Sequence, residues 1–168
     1  MAIKYQDYNI TKNIKLDDKD KEILRLLNTD CRMSLTDISR KTRIPIDTVK
    51  YRIERMEKEK IFHYAIVMDP LKIGYPIYDA LYLNLVNFTR EEEKRLETYT
   101  KKNKNIIYSA KTMGKYDYII GFVATNTREL NDLISEFKTE FQNIIKEFDT
   151  LSIIEEYKYD YMIDLINH

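Results

Sequence analysis

The 168-residue sequence contains little cysteine, glycine or proline and has no net charge. Its one cysteine, Cys31, allows no disulfide within the chain, and one Cys with two distant His residues makes no recognisable zinc site. With 3 Gly, 3 Pro, 43% hydrophobic and 33% charged residues, the composition is typical of a folded globular protein and not of a disordered chain. We therefore expect a compact protein that needs no metal and no cofactor.

Long apolar runs are also missing. The first 13 residues, MAIKYQDYNITKN, lack the apolar core of a signal peptide. No later run approaches the roughly 20 apolar residues that a helix needs to cross a bilayer. The sequence thus predicts a cytoplasmic protein that does not associate with a membrane.

The charge is balanced overall but unevenly distributed. Lys and Arg number 28, as do Asp and Glu, so the whole chain lacks the basic excess of many nucleic-acid-binding proteins. Residues 1–70 nevertheless carry 15 basic against 12 acidic side chains, and residues 40–60 carry 8 against 4. Positive charge is concentrated in one short segment, where it could attract DNA phosphates.

Residues 16–60 show the pattern of three short helices. Aspartates within residues 17–20 supply an N-cap and first-turn acids for the first helix. A capping box at residues 34–37 begins the second, and Pro45 suits the start of the third, which continues to about Glu59. This arrangement predicts a helix-turn-helix domain.

The remainder of the chain alternates strand and helix patterns in the order βαββαβ, which is that of a ferredoxin-like sheet. Leu130, Leu133, Ile134, Phe137 and Phe141 form the most regular helical stripe of the sequence. Gly114-Lys115 has the composition of a two-residue type II′ hairpin turn. The four strands are predicted around residues 81–85, 106–113, 116–124 and 153–162.

Together these patterns predict an α+β protein with an N-terminal three-helix domain and a C-terminal βαββαβ domain. Turn residues Gly74 and Pro76 favour a linker between them. The expected organisation is an arm over 1–15, a helix-turn-helix domain over 16–60, a strand and linker over 61–77, and the α/β domain over 78–168.

The third helix has one apolar and one polar face. Val49, Ile53 and Met56 fall together when successive residues are placed 100° apart. An isolated amphipathic helix with a charged outer face is more often simply solvated, but the two preceding helices favour a recognition helix here. The candidate DNA-binding residues are Ser34, Arg40, Asp47, Thr48, Lys50, Tyr51, Arg52 and Arg55.

Different roles are expected within this set. We predict that Thr48 and Tyr51 contact bases, because outward residues near the N-terminus of a recognition helix face base edges. Lys50, Arg52 and Arg55 would bind phosphates, and Arg55 is also long enough to reach a guanine. Ser34 and Arg40 could hold the DNA backbone from the second helix.

Several segments follow one another with the spacing of the Lrp/AsnC (leucine-responsive, feast/famine) regulators, which the sequence resembles over roughly residues 16–162. They are the segments at 16–20, 23–24, 30–34, 49–53, 61–64, 69–74 and 113–118. The resemblance implies a winged-type helix-turn-helix, a sequence-specific transcriptional regulator of double-stranded DNA, and homodimers formed through the βαββαβ domains. It also implies frequent assembly into tetramers or octamers and, often, an amino-acid effector.

The resemblance further implies an effector site at Gly114, Tyr116 and Asp117. Backbone groups there could hold a carboxylate, and Asp117 could accept from a ligand ammonium. Considered locally, the same residues are a turn glycine, a strand aromatic and a carboxylate at a strand end, so both interpretations stay open.

Three positions depart from the family pattern. Arg43 and Lys60 stand where the family often has Gly, and Pro45 stands where it often has a capping Ser. If Arg43 or Lys60 needs a positive φ, its side chain introduces strain next to the third helix.

The 14 tyrosines, including three in the last predicted strand, suit either a ring-binding pocket or a subunit interface, and we favour the interface.

Two other classes of protein are alternatives to a DNA-binding regulator. Siroheme decarboxylases resemble this two-domain fold but usually carry His and Arg in the second strand, which residues 106–111 do not offer. The chain is therefore expected not to be an enzyme; the other alternative is a protein that sequesters regulators without binding DNA.

Overall fold

The computed structural model describes residues 14–157 and Ile163. In this part of the chain it has five α-helices and four β-strands. Contacts group these residues into two compact units that divide between Ile66 and Val67. None of the described helices is both long enough and apolar enough to cross a membrane.

The first unit contains the three predicted helices, α1 (Asp18–Thr29), α2 (Leu35–Thr42) and α3 (Ile46–Lys58). The side chain of Asp17 caps α1 and that of Ser34 caps α2, each by accepting a backbone N–H from the third residue beyond it. Pro45 occupies the N-cap of α3, which has no side-chain cap.

Apolar side chains spaced three or four residues apart hold these helices together. One cluster collects the buried faces of all three helices, and Ile163 packs against its edge. Its buried members are Ile23, Leu24, Leu27, Ile38, Ile44, Val49, Ile53 and Met56. The apolar face predicted for the third helix is thus its core face.

The second unit confirms the predicted ferredoxin-like order. It runs β1 (Ile77–Leu85), α4 (Arg90–Lys102), β2 (Ile106–Lys111), β3 (Tyr118–Ala124), α5 (Thr127–Glu140) and β4 (Ile145–Ser152). The strands form one antiparallel sheet in the order β2-β3-β1-β4. Alternate residues of the strands pack with Leu96 of α4 and with Phe137 of α5, so both helices cover the same face of the sheet.

The last strand lies earlier than predicted. The pattern favoured Ile153–Met162, whereas β4 ends at Ser152 and residues 153–157 form no strand. β4 is an edge strand that sends only a few apolar side chains, such as Phe148, into the core, and its charged residues hid the alternation. Tyr157 is exposed beyond β4, and residues 158–162 of the predicted strand lie outside the described residues.

The central hairpin also differs from the prediction. Lys111 pairs with Tyr118, so the connection contains six residues, 112–117, and not the two of a type II′ turn. Thr112 closes this loop, because its backbone N–H donates to the carbonyl of Asp117 at 2.9 Å and its hydroxyl donates to the carbonyl of Tyr116 at 2.6 Å.

The strand expected at the start of the 61–77 segment is missing, and so is any wing within the described chain between α3 and β1. Residues 62–68 are free of helix and strand, and Ile66 and Val67 are exposed. An extended segment becomes a strand only when another strand accepts its hydrogen bonds, and none does so here.

Candidate nucleic-acid interface

The outer face of α3 is open to solvent. Asp47, Lys50 and Tyr51 are exposed, with Tyr51 at 65%, while Thr48 is half-buried beside them. Lys50 Nζ lies 3.9 Å from the carboxylate of Glu54, and a weak surface pair of this kind is readily exchanged for a phosphate. The structure therefore brings these four predicted residues to one accessible surface.

The two candidates on α2 lie at its exposed side. Ser34 Oγ accepts the backbone N–H of Asp37 at 3.1 Å and donates to the carboxylate of the same residue at 2.7 Å. Arg40 forms a surface ion pair with Asp37, and most of its side chain is exposed. Ser34 is therefore first a helix cap, whereas Arg40 keeps the reach of a backbone contact.

Arg52 and Arg55 do not share the open surface of α3. Arg52 Nη1 donates to both carboxylate oxygens of Asp17 at 2.8 Å and to Asp20 Oδ1 at 2.7 Å. Arg55 Nη2 donates to the other oxygen of Asp20. Asp20 is 1% exposed, and the two arginine side chains are 17% and 29% exposed. Both arginines are therefore committed to α1.

These contacts shift the pKa values of Asp17 and Arg52. The pKa of the Asp17 carboxyl is lowered because it accepts the backbone N–H of Asp20 and, in addition, the guanidinium of Arg52. The pKa of Arg52 is raised by its hydrogen bonds to Asp17 and Asp20. The charged forms of Asp17 and Arg52 are both favoured, so these two side chains form an ion pair under ordinary conditions.

Asp17 and Asp20 were not predicted as partners of the third helix. The sequence pattern indicated only that they begin α1, a role that each also fills: Asp17 accepts the backbone N–H of Asp20, and Asp20 accepts that of Asp17. A pair of arginines one turn apart on a flank of α3 was the signal that could have suggested an acidic partner.

Left-handed residues stand on either side of α3. Arg43 follows α2 with φ 56° and Lys60 follows α3 with φ 57°. These are the two positions where the sequence departs from a family glycine, and both require the positive φ that glycine adopts at no steric cost. The expected strain next to the third helix is present.

Replacing Arg43 with Gly is therefore expected to raise the free energy of unfolding by about 0.5–1 kcal/mol. The substitution relieves roughly 1–2 kcal/mol of left-handed strain, which outweighs the conformational entropy that glycine adds to the unfolded chain. Urea unfolding followed by circular dichroism measures the change. Lys41→Gly, two residues earlier inside α2, is the matched control and should instead lose about 1 kcal/mol. A loss in both variants would contradict the strain assigned to Arg43.

The predicted effector residues lie together in the 112–117 loop, and the side chains of Tyr116 and Asp117 already have partners. Tyr116 donates its hydroxyl to Asp149 Oδ2 at 2.6 Å, and its ring packs on Tyr82 with centroids 5.2 Å apart. Asp117 Oδ2 accepts the backbone N–H of Leu85 at 2.7 Å. Gly114 is exposed with φ 152°. The two side chains tie the loop to β1 and β4.

A groove of about 620 Å³ opens elsewhere on the second unit, between α4 and α5. Its lining includes Lys94, Arg95, Tyr99 and Glu136 but none of the predicted effector residues. Among the described residues, no group of three His, Cys, Asp or Glu side chains is arranged to hold a metal ion. The most developed candidate site is the outer face of α3.

Residues 16–57, which include all of α1 and α2 and most of α3, match the AsnC-type helix-turn-helix domain. The chain carries an AsnC-type helix-turn-helix domain. α3 stands at the position of the recognition helix in such a domain. The predicted resemblance to the Lrp/AsnC regulators is confirmed.

Proteins similar to this chain include transcriptional regulators. This chain is 41% identical over 68 residues to an uncharacterized HTH-type transcriptional regulator of Pyrococcus horikoshii. The aligned residues make up 40% of this chain and 43% of that protein. This chain thus spans less than half the length of that relative. It is 28% identical over 120 residues to the HTH-type transcriptional regulator FL11 of Pyrococcus furiosus, covering 71% and 78% of the two chains.

Solved structures share the fold over nearly the whole chain. Escherichia coli AsnC has a TM-score of 0.78 at 16% identity and covers 89% of this chain and 99% of its own. Bacillus subtilis LrpC has a TM-score of 0.75 at 23% identity, covering 88% and 100%. The regulator NMB0573 of Neisseria meningitidis, solved with L-Met, has a TM-score of 0.79 at 14% identity, covering 86% and 94%.

Proposed function

We propose that this protein is a transcriptional regulator that binds specific sequences of double-stranded DNA through residues 16–60 and acts as a homo-oligomer. The observation that carries the proposal is the exposed outer face of α3 within an AsnC-type helix-turn-helix domain. Because the curated relatives are regulators, we assign the chain no catalytic reaction. Binding to promoter DNA would place its work in the cytoplasm.

On this proposal α3 enters the major groove. Tyr51 and Thr48 contact base edges, Asp47 lies at the N-terminal end of the same surface, and Lys50 binds a phosphate. Ser34 and Arg40 contact the DNA backbone from the N-cap and the last turn of α2. Because the chain has no net charge, its affinity for DNA depends on a few well-placed cations. Lys50 therefore contributes a large share of the salt dependence of DNA binding.

Replacing Lys50 with Ala should weaken binding to all DNA several-fold and reduce the slope of log K against log salt by about 1, since one phosphate contact is lost. Labelled DNA from the protein's own promoter region, compared with unrelated DNA across a salt series, provides both quantities. Lys101→Ala is the matched control, because Lys101 has similar exposure and the same i, i+4 spacing from its Glu partner. An unchanged slope in the Lys50 variant would remove α3 from the interface.

The exposed face of the sheet favours a homodimer, and tetramers or octamers would be assembled from such dimers. The face of the sheet opposite α4 and α5, here called the open sheet face, carries Tyr78, Tyr82, Tyr108, Ile119 and Leu151. Tyr108 and Leu151 are 49% and 54% exposed in the single chain. Tyrosine and branched apolar residues are typical of subunit contacts, and we propose a second copy of this chain as the partner of this face.

A small-molecule amino acid is the proposed effector, held near Gly114, Tyr116 and Asp117. The L-Met complex of a regulator with the same fold supports this choice of ligand class. Asp117 uses one carboxylate oxygen for Leu85, which leaves the other to accept from an ammonium group. Thermal unfolding in the presence of each of the twenty amino acids tests the proposal: a ligand that raises the midpoint for the native chain but not for Asp117→Asn supports it.

A further inference from the structure

The contacts between α1 and α3 form a built charge cluster, here called the α1–α3 cluster, of Asp17, Asp20, Arg52 and Arg55. Asp20 lies at its centre and gives one carboxylate oxygen to each arginine. Arg52 extends the cluster to Asp17 through two further hydrogen bonds of 2.8 Å. Every member is thus held by at least one charge-assisted, directional contact.

Neither arginine can leave this cluster for DNA at small cost. Moving either guanidinium to a phosphate would remove one of the two counter-ions of Asp20, which is 1% exposed, and separating the partners of a buried ion pair is strongly unfavourable. The Nε atoms of both arginines are buried without a hydrogen-bond partner. The Nε edge of each guanidinium therefore faces the protein and not a ligand.

The cluster is also anchored at a fixed point of the fold. Asp17 and Asp20 accept each other's backbone N–H at 2.9 and 3.2 Å, which holds both carboxylates at the first turn of α1. Arg52 and Arg55, one turn apart on α3, bind this fixed pair, and so they set the rotation of α3 about its own axis. A rotation of about 20° would move a side chain roughly 6 Å from that axis by about 2 Å, more than a base hydrogen bond tolerates.

We propose that Arg52 and Arg55 are positioning residues, which set the angle at which α3 presents Tyr51 and Lys50, and that neither binds phosphate. This inference rests on the proposed function. It reassigns two of the three cations of α3 that the sequence pattern gave to the DNA backbone.

The experiment compares the native chain with Arg52→Lys and Arg55→Lys, which keep the charge but lose the planar guanidinium. Binding to the protein's own promoter DNA and to unrelated DNA is measured across a salt series, at a temperature where circular dichroism shows every variant folded. We expect affinity for the promoter to fall roughly tenfold or more, as misplaced base contacts would cause, with non-specific affinity and salt slope unchanged. Lys50→Ala supplies the contrasting pattern of a phosphate contact.

Two other outcomes would overturn the inference. A fall of promoter and non-specific affinity by the same factor would make the arginine a phosphate ligand, since phosphate contacts carry no sequence information. A lower unfolding temperature with both affinities unchanged would make the cluster purely structural. If the lysine variants do not fold, Asp17→Asn is used instead, because Asp17 lies at the exposed edge of the cluster. Failure of the native chain to prefer its promoter would refute the proposed function as well, whereas normal native binding with unaffected variants refutes this inference alone.

Discussion

Asp20→Ala is expected to lower the free energy of unfolding of the first unit by about 3–5 kcal/mol, because it leaves two partly buried guanidinium groups without their shared counter-ion. It also removes the acceptor for the backbone N–H of Asp17 at the start of α1. Few single substitutions in the unit should cost more, since the total stability of a small domain is only about 5–15 kcal/mol. Urea unfolding of the full chain, followed by far-ultraviolet circular dichroism, measures the loss.

Asp18→Ala is the matched control for this prediction. Asp18 is an acid of the same first turn, but its side chain is fully exposed and its contact with Lys21 is 4.0 Å long. Its removal should cost no more than about 0.5 kcal/mol. Similar losses from both substitutions would mean that Asp20 acts only as a first-turn acid and that the arginines contribute nothing through it.

The second large effect is expected at the open sheet face. Ile119 lies near its centre, between Tyr82 of β1 and Ala110 of β2. Ile119→Asp would place a carboxylate where the proposed dimer excludes water, which should raise the dimer dissociation constant by about 100-fold or more, a change of roughly 3 kcal/mol. Sedimentation velocity over a range of protein concentrations measures that constant.

Val86→Asp is the control for this experiment, since Val86 is a partly exposed apolar residue just beyond β1 and outside the open sheet face. It should leave the dissociation constant unchanged. A native chain that sediments as a monomer, or an Ile119 variant that dimerises normally, would show that the tyrosines of this face serve another purpose.

How far the sequence could predict this fold depended on how local each signal was. Ser34 and Thr89 each accept the backbone N–H of the residue three positions further on, so the starts of α2 and α4 were predictable. The apolar stripe from Leu130 to Phe141 follows the period of a single helix, so α5 was predictable as well. β4 was not, because its edge position allows charged residues to interrupt the alternation that identifies a strand.

The same distinction applies to the candidate site. Helical periodicity placed Tyr51 on the outer face of α3 and Lys50 on its flank, and both side chains are exposed. It could not show that Arg52 and Arg55 bind Asp20, which is 32 and 35 residues away along the chain. The need for positive φ at Arg43 and Lys60 was predictable only through the family glycines that these residues replace, since neither residue type signals a left-handed turn.

The irregularity in β2 bears on how this chain avoids unwanted association. The register of β2 against β3 shifts between Ile106 and Tyr108, which is a β-bulge in an edge strand. A bulged edge cannot present an unbroken row of backbone donors and acceptors, so it is a poor template for the strand-by-strand growth of aggregates. The sheet can therefore keep an apolar face available for a specific partner while its β2 edge resists indiscriminate pairing with other chains.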